Sequence, residues 1–272
     1  MSPSASVRRF DRLLLTGAAG GLGVELRRRL AAHCEVLRLS DIADLGAAGE
    51  REELRPADLA DAAAVHALLE GVDAVVHMGG VSTEQPWEAI LPANIVGTYN
   101  LYEAARRQGV RRIVFASSNH VTGFYRQDEV IAAGAAPRPD GLYGLSKAFG
   151  EDLAQLYADR HGIETVSLRI GSSFPEPRNR RMLATWLSYD DLERLVVASL
   201  VAPVVRHTVV YGVSANARCW WDNTPARHLG FEPRDSAAPW TAAIEAREPP
   251  ADRDDPAQVY QGGPFVRQGP GS

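Results

Sequence analysis

The run Arg12-Leu-Leu-Leu-Thr16 passes straight into Gly17-Ala-Ala-Gly20-Gly-Leu-Gly23, and that join limits the chain to few folds. A short apolar run of this kind reads as a buried strand, and the amphipathic stretch behind it, Val24 to His33, reads as a helix. A strand that turns through glycines into a helix presents backbone amides to an anion at the helix N-terminus. Gly17 permits the tight turn, Gly20 lets the amides approach a pyrophosphate, and Gly23 lets helix pack closely on strand. Gly21 and Leu22 fill out the loop. The pattern predicts a dinucleotide site.

Strands and helices then alternate. Glu35–Ser40 reads as the second strand with Asp41 at its end, roughly 20 residues past the glycines, where a carboxylate can accept bonds from an adenosine ribose. A carboxylate there repels a 2′-phosphate, so NAD is expected rather than NADP; Asp44 is a second candidate for the same role. A charged loop, Glu50–Arg55, leads to a short strand near Leu54, and Asp58-Leu59 falls where an adenine edge would be met. Asp61 caps a helix running to Glu70. Asp73–His77 is a further buried strand, with His77 packed inside it. Met78-Gly79-Gly80 opens its carboxyl end, the edge at which open α/β sheets bind ligands, and Ser82 follows facing the substrate. Pro86–Gln108 is helical with a break expected at Pro92. Arg111–Ala116 is the fifth strand and Glu164–Ile170 the sixth. The alternation predicts an α/β fold with a Rossmann-type doubly wound parallel sheet. Residues 1–170 form the cofactor-binding domain, and 171–272 a small substrate-binding region and tail fused to it.

The chemistry sits in Tyr143-Gly-Leu-Ser-Lys147. Tyr and Lys four apart share one face of a helix, expected here from Tyr143 to His161. A phenol of pKa about 10 is a poor base at neutral pH, and a nearby ammonium is expected to lower it. Of the chain's 29 lysines and arginines only Lys147 is a lysine. A compact point charge is thus kept where a planar guanidinium would not substitute. Ser118, at the end of the fifth strand and 25 residues before Tyr143, can hold the reacting oxygen beside the phenol.

Composition removes other classes. With 272 residues, 45% apolar and 23% charged, the chain has ample core for one or two fused domains. A net charge of −5 without a long basic run argues against a nucleic-acid surface. Cys34 and Cys219 make neither a disulfide framework nor a metal cluster. No apolar run approaches a membrane span, and Met1–Arg9 lacks the apolar core of a signal peptide, so a cytoplasmic protein is expected. Beyond Gly171 the chain is proline-broken and basic to Met182, helical from Asp190 to Val201, and extended from Arg206 to Tyr211. Trp220 and Trp221 are expected to pack, Pro239–Ala246 to form a short helix, and Gly262–Ser272 to be poorly ordered.

Thr16-Gly17-x-x-Gly20-x-x-Gly23, Ser118 and Tyr143-x-x-x-Lys147 together resemble the extended short-chain dehydrogenase/reductases. Gly79-Gly-Val-Ser82, Phe115-Ala-Ser-Ser-Asn-His120, Asp140–Lys147, Arg169-Ile-Gly-Ser172, Pro175-Glu-Pro177, Arg181-Met-Leu183 and Trp220-Trp-Asp-Asn223 extend the resemblance to one subgroup, the NAD-dependent uronate dehydrogenases. The resemblance implies oxidation of D-glucuronate and D-galacturonate at C1 to the aldarolactone, with NAD reduced, in a homo-oligomer. It implies Tyr143 as base, Lys147 on the nicotinamide ribose and Ser118 on the C1 oxygen. Ser82, Asn119, His120 and Ser172 would meet ring hydroxyls, and Arg181 the sugar carboxylate. Met78, Gly79, Gly80 and Ile170 would flank the cofactor, and no metal is implied. Two other readings stand beside this one. The nearer is an epimerase or dehydratase acting on a nucleotide-linked sugar, against which the roughly 100 residues after the sixth strand look short. The other is a catalytically dead dinucleotide-binding regulator, which the intact Ser–Tyr–Lys set opposes.

Overall fold

The computed structural model describes residues 10–249 and 252–268. Seven strands form one sheet: β1 (Phe10–Thr16), β2 (Cys34–Ser40), β3 (Glu52–Leu54), β4 (Ala74–His77), β5 (Arg112–Ser118), β6 (Glu164–Ile170) and β7 (His207–Gly212). Their order is β7-β6-β5-β4-β1-β2-β3, and every pair is parallel. Strand order reverses beside β1, which is where a doubly wound sheet opens a crevice at its carboxyl edge.

Burial explains the leucine run. Leu13, Leu14 and Leu15 are all fully buried, as a central parallel strand covered on both faces requires. Successive side chains go to opposite faces. Leu13 and Leu15 join one core with Leu26 and Leu30 of helix α1 (Gly21–Leu30). Leu14 joins the other with Leu68 of α2 (Ala62–Leu68), Leu101 of α3 (Gly97–Gln108) and Leu153 of α4 (Leu142–His161). Helix α5 (Tyr189–Val201) returns to the first face through Leu192 and Leu195. The last strand, β7, comes from beyond residue 170 yet pairs with β6, so both halves of the chain share this sheet.

Several expectations are refined. Helix α1 starts at Gly21 and ends at Leu30, and a 3₁₀ turn carries the chain to His33. The break at Pro92 is a π-helical segment, Leu91–Val96, between one turn of α-helix at Trp87–Ile90 and α3; proline removes one ladder bond and the segment widens around it. Asp61 caps α2 through the amides of Ala63 and Ala64. Trp221 stacks on Tyr211 with ring centroids 4.8 Å apart, and Trp220 and Trp221 are both buried, so the tryptophan pair packs. Two-residue strands at Ile131–Ala132 and Trp221–Asp222 pair with each other, a contact too short to read from sequence.

One expectation is wrong. The tail from Gly262 is not loose over its described part: Gly263–Arg267 is a 3₁₀ turn laid against the mouth of the crevice. Composition suggested disorder, but long-range hydrogen bonds at Gln261, just before it, fix its path. Residues 269–272 and Met1–Arg9 lie outside the described residues. Among the described residues no helix is long and apolar enough to cross a membrane.

Candidate active site

A cavity of about 800 Å³ runs along the carboxyl ends of the strands. Every residue singled out from the sequence for cofactor or substrate except Asp44 lines it: Gly17, Gly20 to Gly23, Asp41, Asp58, Leu59, Met78 to Gly80, Ser82, Ser118 to His120, Tyr143, Lys147, Ile170, Ser172 and Arg181.

At one end lies the glycine loop. Gly17 has φ +69°, and a Cβ there would sit 2.5 Å from the Met78 carbonyl carbon, so the turn at the end of β1 admits only glycine. A Cβ on Gly21 would meet nothing within 4 Å, which leaves the N-terminus of α1 open to the cavity. Asp41 is fixed over this loop: Oδ2 accepts from the Ala19 amide at 3.0 Å and Oδ1 from the Ala43 amide at 3.0 Å. Asp44 is exposed and caps its own turn through the Gly46 amide at 2.9 Å, outside the cavity, so of the two acids Asp41 is the one at the site. Asp58 likewise receives the Ala60 amide at 2.9 Å, with the Asp58 and Leu59 walls still facing the cavity. An open helix N-terminus, a fixed carboxylate one strand away and an apolar wall at Leu59 suit the pyrophosphate, ribose and adenine of a dinucleotide.

In the middle stand Ser118, Tyr143 and Lys147. Ser118 Oγ accepts from the His120 amide at 3.2 Å and lies close enough to the Tyr143 hydroxyl to favour its ionised form. Lys147 Nζ lies 5.7 Å from the Tyr143 ring centroid and 5.2 Å from that of Phe115. The expected lowering of the phenol does not occur in the bare protein. Burial pushes Tyr143 up to about 12, against the opposing bond from Ser118 and reinforced by the charge of Asp140. Burial also pulls Lys147 down to about 8. Spacing along the chain reports the pair but not the depth at which it sits, and desolvation is the largest cause of both shifts. His77 packs inside β4 as expected, stacked near Phe115 with Nδ1 2.7 Å from Thr16 Oγ1, and burial drives it down to about 3.

At the far end, His120 Nδ1 is 2.6 Å from Asp140 Oδ2, and the imidazole stacks on Phe265 with centroids 3.8 Å apart. Arg181 is half-buried, and desolvation brings it down to about 10. Among the described residues it makes no ion pair. Its Nε and Nη2 donate to the Gln261 carbonyl at 2.9 and 2.6 Å, and Nη1 donates to Ser172 Oγ at 3.1 Å. With the Asn119 amide oriented to satisfy its neighbours, Oδ1 accepts from Arg181 Nη2 at 2.9 Å and Nδ2 donates to the Ile170 carbonyl at 3.0 Å. Four of the five guanidinium N–H groups are thereby engaged, and the one left for an incoming anion is on Nη1.

Sequence reading missed four contributors. Asn94, in the π-helical segment, bonds both backbone groups of Val81 and donates to Ser146 Oγ at 2.9 Å, tying the Gly80–Ser82 loop to α4. Glu84 caps α4, Phe265 lines the cavity and Gln261 holds Arg181. The proline two residues before Asn94 was the one available signal; the other three act across long sequence separations.

Residues 13–189 match the NAD dependent epimerase/dehydratase family. The chain belongs to that family. Within the epimerase/dehydratase family it is 62% identical over 262 residues to uronate dehydrogenase of Pseudomonas putida, covering 96% of this chain and 97% of that protein. The fold superposes on the crystal structure of glucuronic acid dehydrogenase from Chromohalobacter salexigens with a TM-score of 0.95 at 54% identity, covering 96% and 99% of the two chains. It also superposes on a tyrosine-to-alanine variant of uronate dehydrogenase from Agrobacterium tumefaciens complexed with NAD, with a TM-score of 0.92 at 52% identity over 95% and 97% of the chains.

Proposed function

We propose that this protein oxidises a hexuronate, D-glucuronate or D-galacturonate, at C1 to the aldarolactone with NAD as the oxidant. The observation that carries the reading is the meeting of Ser118, Tyr143 and Lys147 with a half-buried Arg181 that makes no ion pair among the described residues, all in one cavity. The 62% identity to a uronate dehydrogenase supports it.

Bound NAD supplies the acceptor for the C1 hydride. The glycine loop holds the pyrophosphate and Asp41 the adenosine ribose. Ser118 bonds the C1 oxygen and keeps it beside Tyr143, which takes the hydroxyl proton as the C1–H bond gives up its electron pair. Loss of that proton and of the hydride leaves a C1 carbonyl within the ring, a lactone. Lys147 supports the charge on the phenolate and bonds the nicotinamide ribose. Arg181 offers Nη1 to the sugar carboxylate, with Asn119 and Ser172 beside it. Ser82 and His120 meet ring hydroxyls, and Ser172 and Arg181, from beyond residue 170, complete the substrate end of the cavity.

The test is absorbance at the NADH band with NAD and a panel of hexuronates, neutral aldoses and UDP-sugars. NADH should form with hexuronates. A UDP-sugar product formed without net NADH would replace this reading by an epimerase. Arg181→Ala should raise the uronate KM at least about 10-fold, the cost of a lost charged hydrogen bond, and leave a neutral aldose little changed.

A further inference from the structure

Gln261 stands out among the buried polar residues. It is 0% exposed, and each of its four polar atoms is used. The amide donates to the Tyr125 carbonyl at 2.8 Å. Side-chain Nε2 donates to the carbonyls of Arg126 and Glu129 at 2.9 and 3.0 Å, and Oε1 accepts from Trp221 Nε1 at 2.8 Å. The carbonyl receives both Nε and Nη2 of Arg181. Three side-chain bonds therefore anchor a backbone oxygen whose bonds go to the half-buried guanidinium.

The next two residues are shaped for the same contact. Gly262 lies against the Asp140 carboxylate with no room for a Cβ. Gly263 has φ +65°, and a Cβ there would stand 2.7 Å from Arg181 Cδ. A free Arg side chain loses rotamer freedom when it is fixed, so an unheld Arg181 would have to be ordered at every binding event.

We propose that Gln261 is a specificity-determining positioning residue: by clamping the Nε–Nη2 edge of Arg181 it turns Nη1 to the cavity and so sets the preference for a carboxylated sugar. The proposal rests on the role given above to Arg181. Gln261 touches no reacting atom, and its effect is confined to the end of the cavity that separates a uronate from a neutral hexose. A residue with a merely structural role would alter both sugars together, or stability alone.

The experiment measures kcat and KM for D-glucuronate and for D-glucose in wild type, Gln261→Ala, Arg181→Ala and the double variant. Gln261→Ala is expected to raise the glucuronate KM about 10-fold while the glucose KM moves less than about threefold, the loss expected when a charged hydrogen bond is no longer held. In the Arg181→Ala background the same substitution should add nothing, because two residues acting through one contact are not additive. Gly263→Ala, which presses the turn off Arg181 and leaves the Gln261 side chain intact, should show the same selective loss and reads the effect if Gln261→Ala does not fold. Wild-type selectivity in both Gln261→Ala and Gly263→Ala, with Arg181→Ala behaving as expected, would overturn the role of Gln261 alone. An Arg181→Ala enzyme that keeps its preference for glucuronate would remove Arg181 from the reading above, and Gln261 with it.

Discussion

The carboxylate of Glu84 is bound to the first amides of the helix that carries Tyr143: Oε1 accepts from Leu142 N and Oε2 from Tyr143 N, each at 2.9 Å. The residue at the N-cap position, Gly141, has no side chain to offer, and a Cβ there would collide with Glu84. The cap is thus supplied from 59 residues away, by the loop that also carries Ser82. It fixes the start of α4 and places negative charge at the positive end of the helix dipole.

Glu84→Ala should therefore cost on the order of 1 kcal/mol of stability, the usual value of a lost N-cap. It should also lower kcat more than it raises KM, because the phenol shifts relative to Ser118. Glu84→Gln keeps one acceptor and should fall between. Thermal melts and steady-state kinetics on the three proteins check this; an unchanged kcat in Glu84→Ala would show that the cap does not position Tyr143.

The pH dependence of turnover follows from how Tyr143 and Lys147 share protons. Burial sets the phenol near 12 and the ammonium near 8, so the pair loses its first proton at about pH 8. The state with a phenolate and an ammonium has the same proton count as the state with a phenol and an amine, and the first is the reactive one. Log kcat/KM for the uronate should climb with pH and level off above about 8. In Lys147→Met that step should vanish and the residual rate should keep rising toward the phenol's own ionisation. A profile flat from pH 6 to 9 in wild type would show that the pair does not titrate as a unit.

How much of this was legible in the sequence follows from the range of the forces involved. The β1–glycine–α1 unit, the buried strands and the Tyr143–Lys147 spacing are local patterns, and the structure places them as read. Asp41 could be separated from Asp44 only once the carboxylates were seen, one over the glycine loop and one on its own turn. The end of the chain was misread because its order is not local. Gln261 reaches back 135 residues to Arg126 and 40 to Trp221, and no composition window contains such bonds. The direction of the Tyr143 shift was misjudged for a related reason: spacing reports proximity, while desolvation depends on everything packed around the pair.

That desolvation has a price in stability, and Lys147→Met should reveal it. Lys147 falls from 10.5 to about 8 on burial. Below about pH 8 it is protonated in both folded and unfolded states, and the folded protein carries the whole cost of the buried charge. Between about 8 and 10.5 the unfolded chain binds one more proton than the folded one, so wild-type stability rises with pH across that window. At pH 7 Lys147→Met should be more stable than wild type, by at most about 3.4 kcal/mol, the drop from 10.5 to about 8 at 1.36 kcal/mol per pKa unit. The gap should close as the pH approaches 10.5. Denaturant titrations at pH 7 and pH 10 measure it, and a variant no more stable at pH 7 would mean the ammonium is not desolvated.

A second buried charge sits just behind the site with the opposite consequence. Arg169 on β6 is paired with Glu151 of α4, Nη2 to Oε2 at 2.7 Å and Nε to Oε1 at 2.9 Å. Its Nη1 donates to the Ala133 carbonyl at 3.1 Å and to Tyr211 Oη at 3.2 Å, and Glu151 also accepts from Ser117 Oγ at 2.5 Å. Both members are buried and satisfied on every side, so breaking the pair leaves a charge with no solvent to turn to. Glu151→Ala should cost about 3–5 kcal/mol, whereas replacing both together, Glu151→Leu with Arg169→Met, should cost far less because no charge is stranded. Denaturant titrations on the single and double variants give the comparison. Since Ser117 precedes Ser118 on the same strand, the single variant should also lose turnover beyond what its unfolded fraction explains, and kinetics at a temperature where it remains folded would show whether it does.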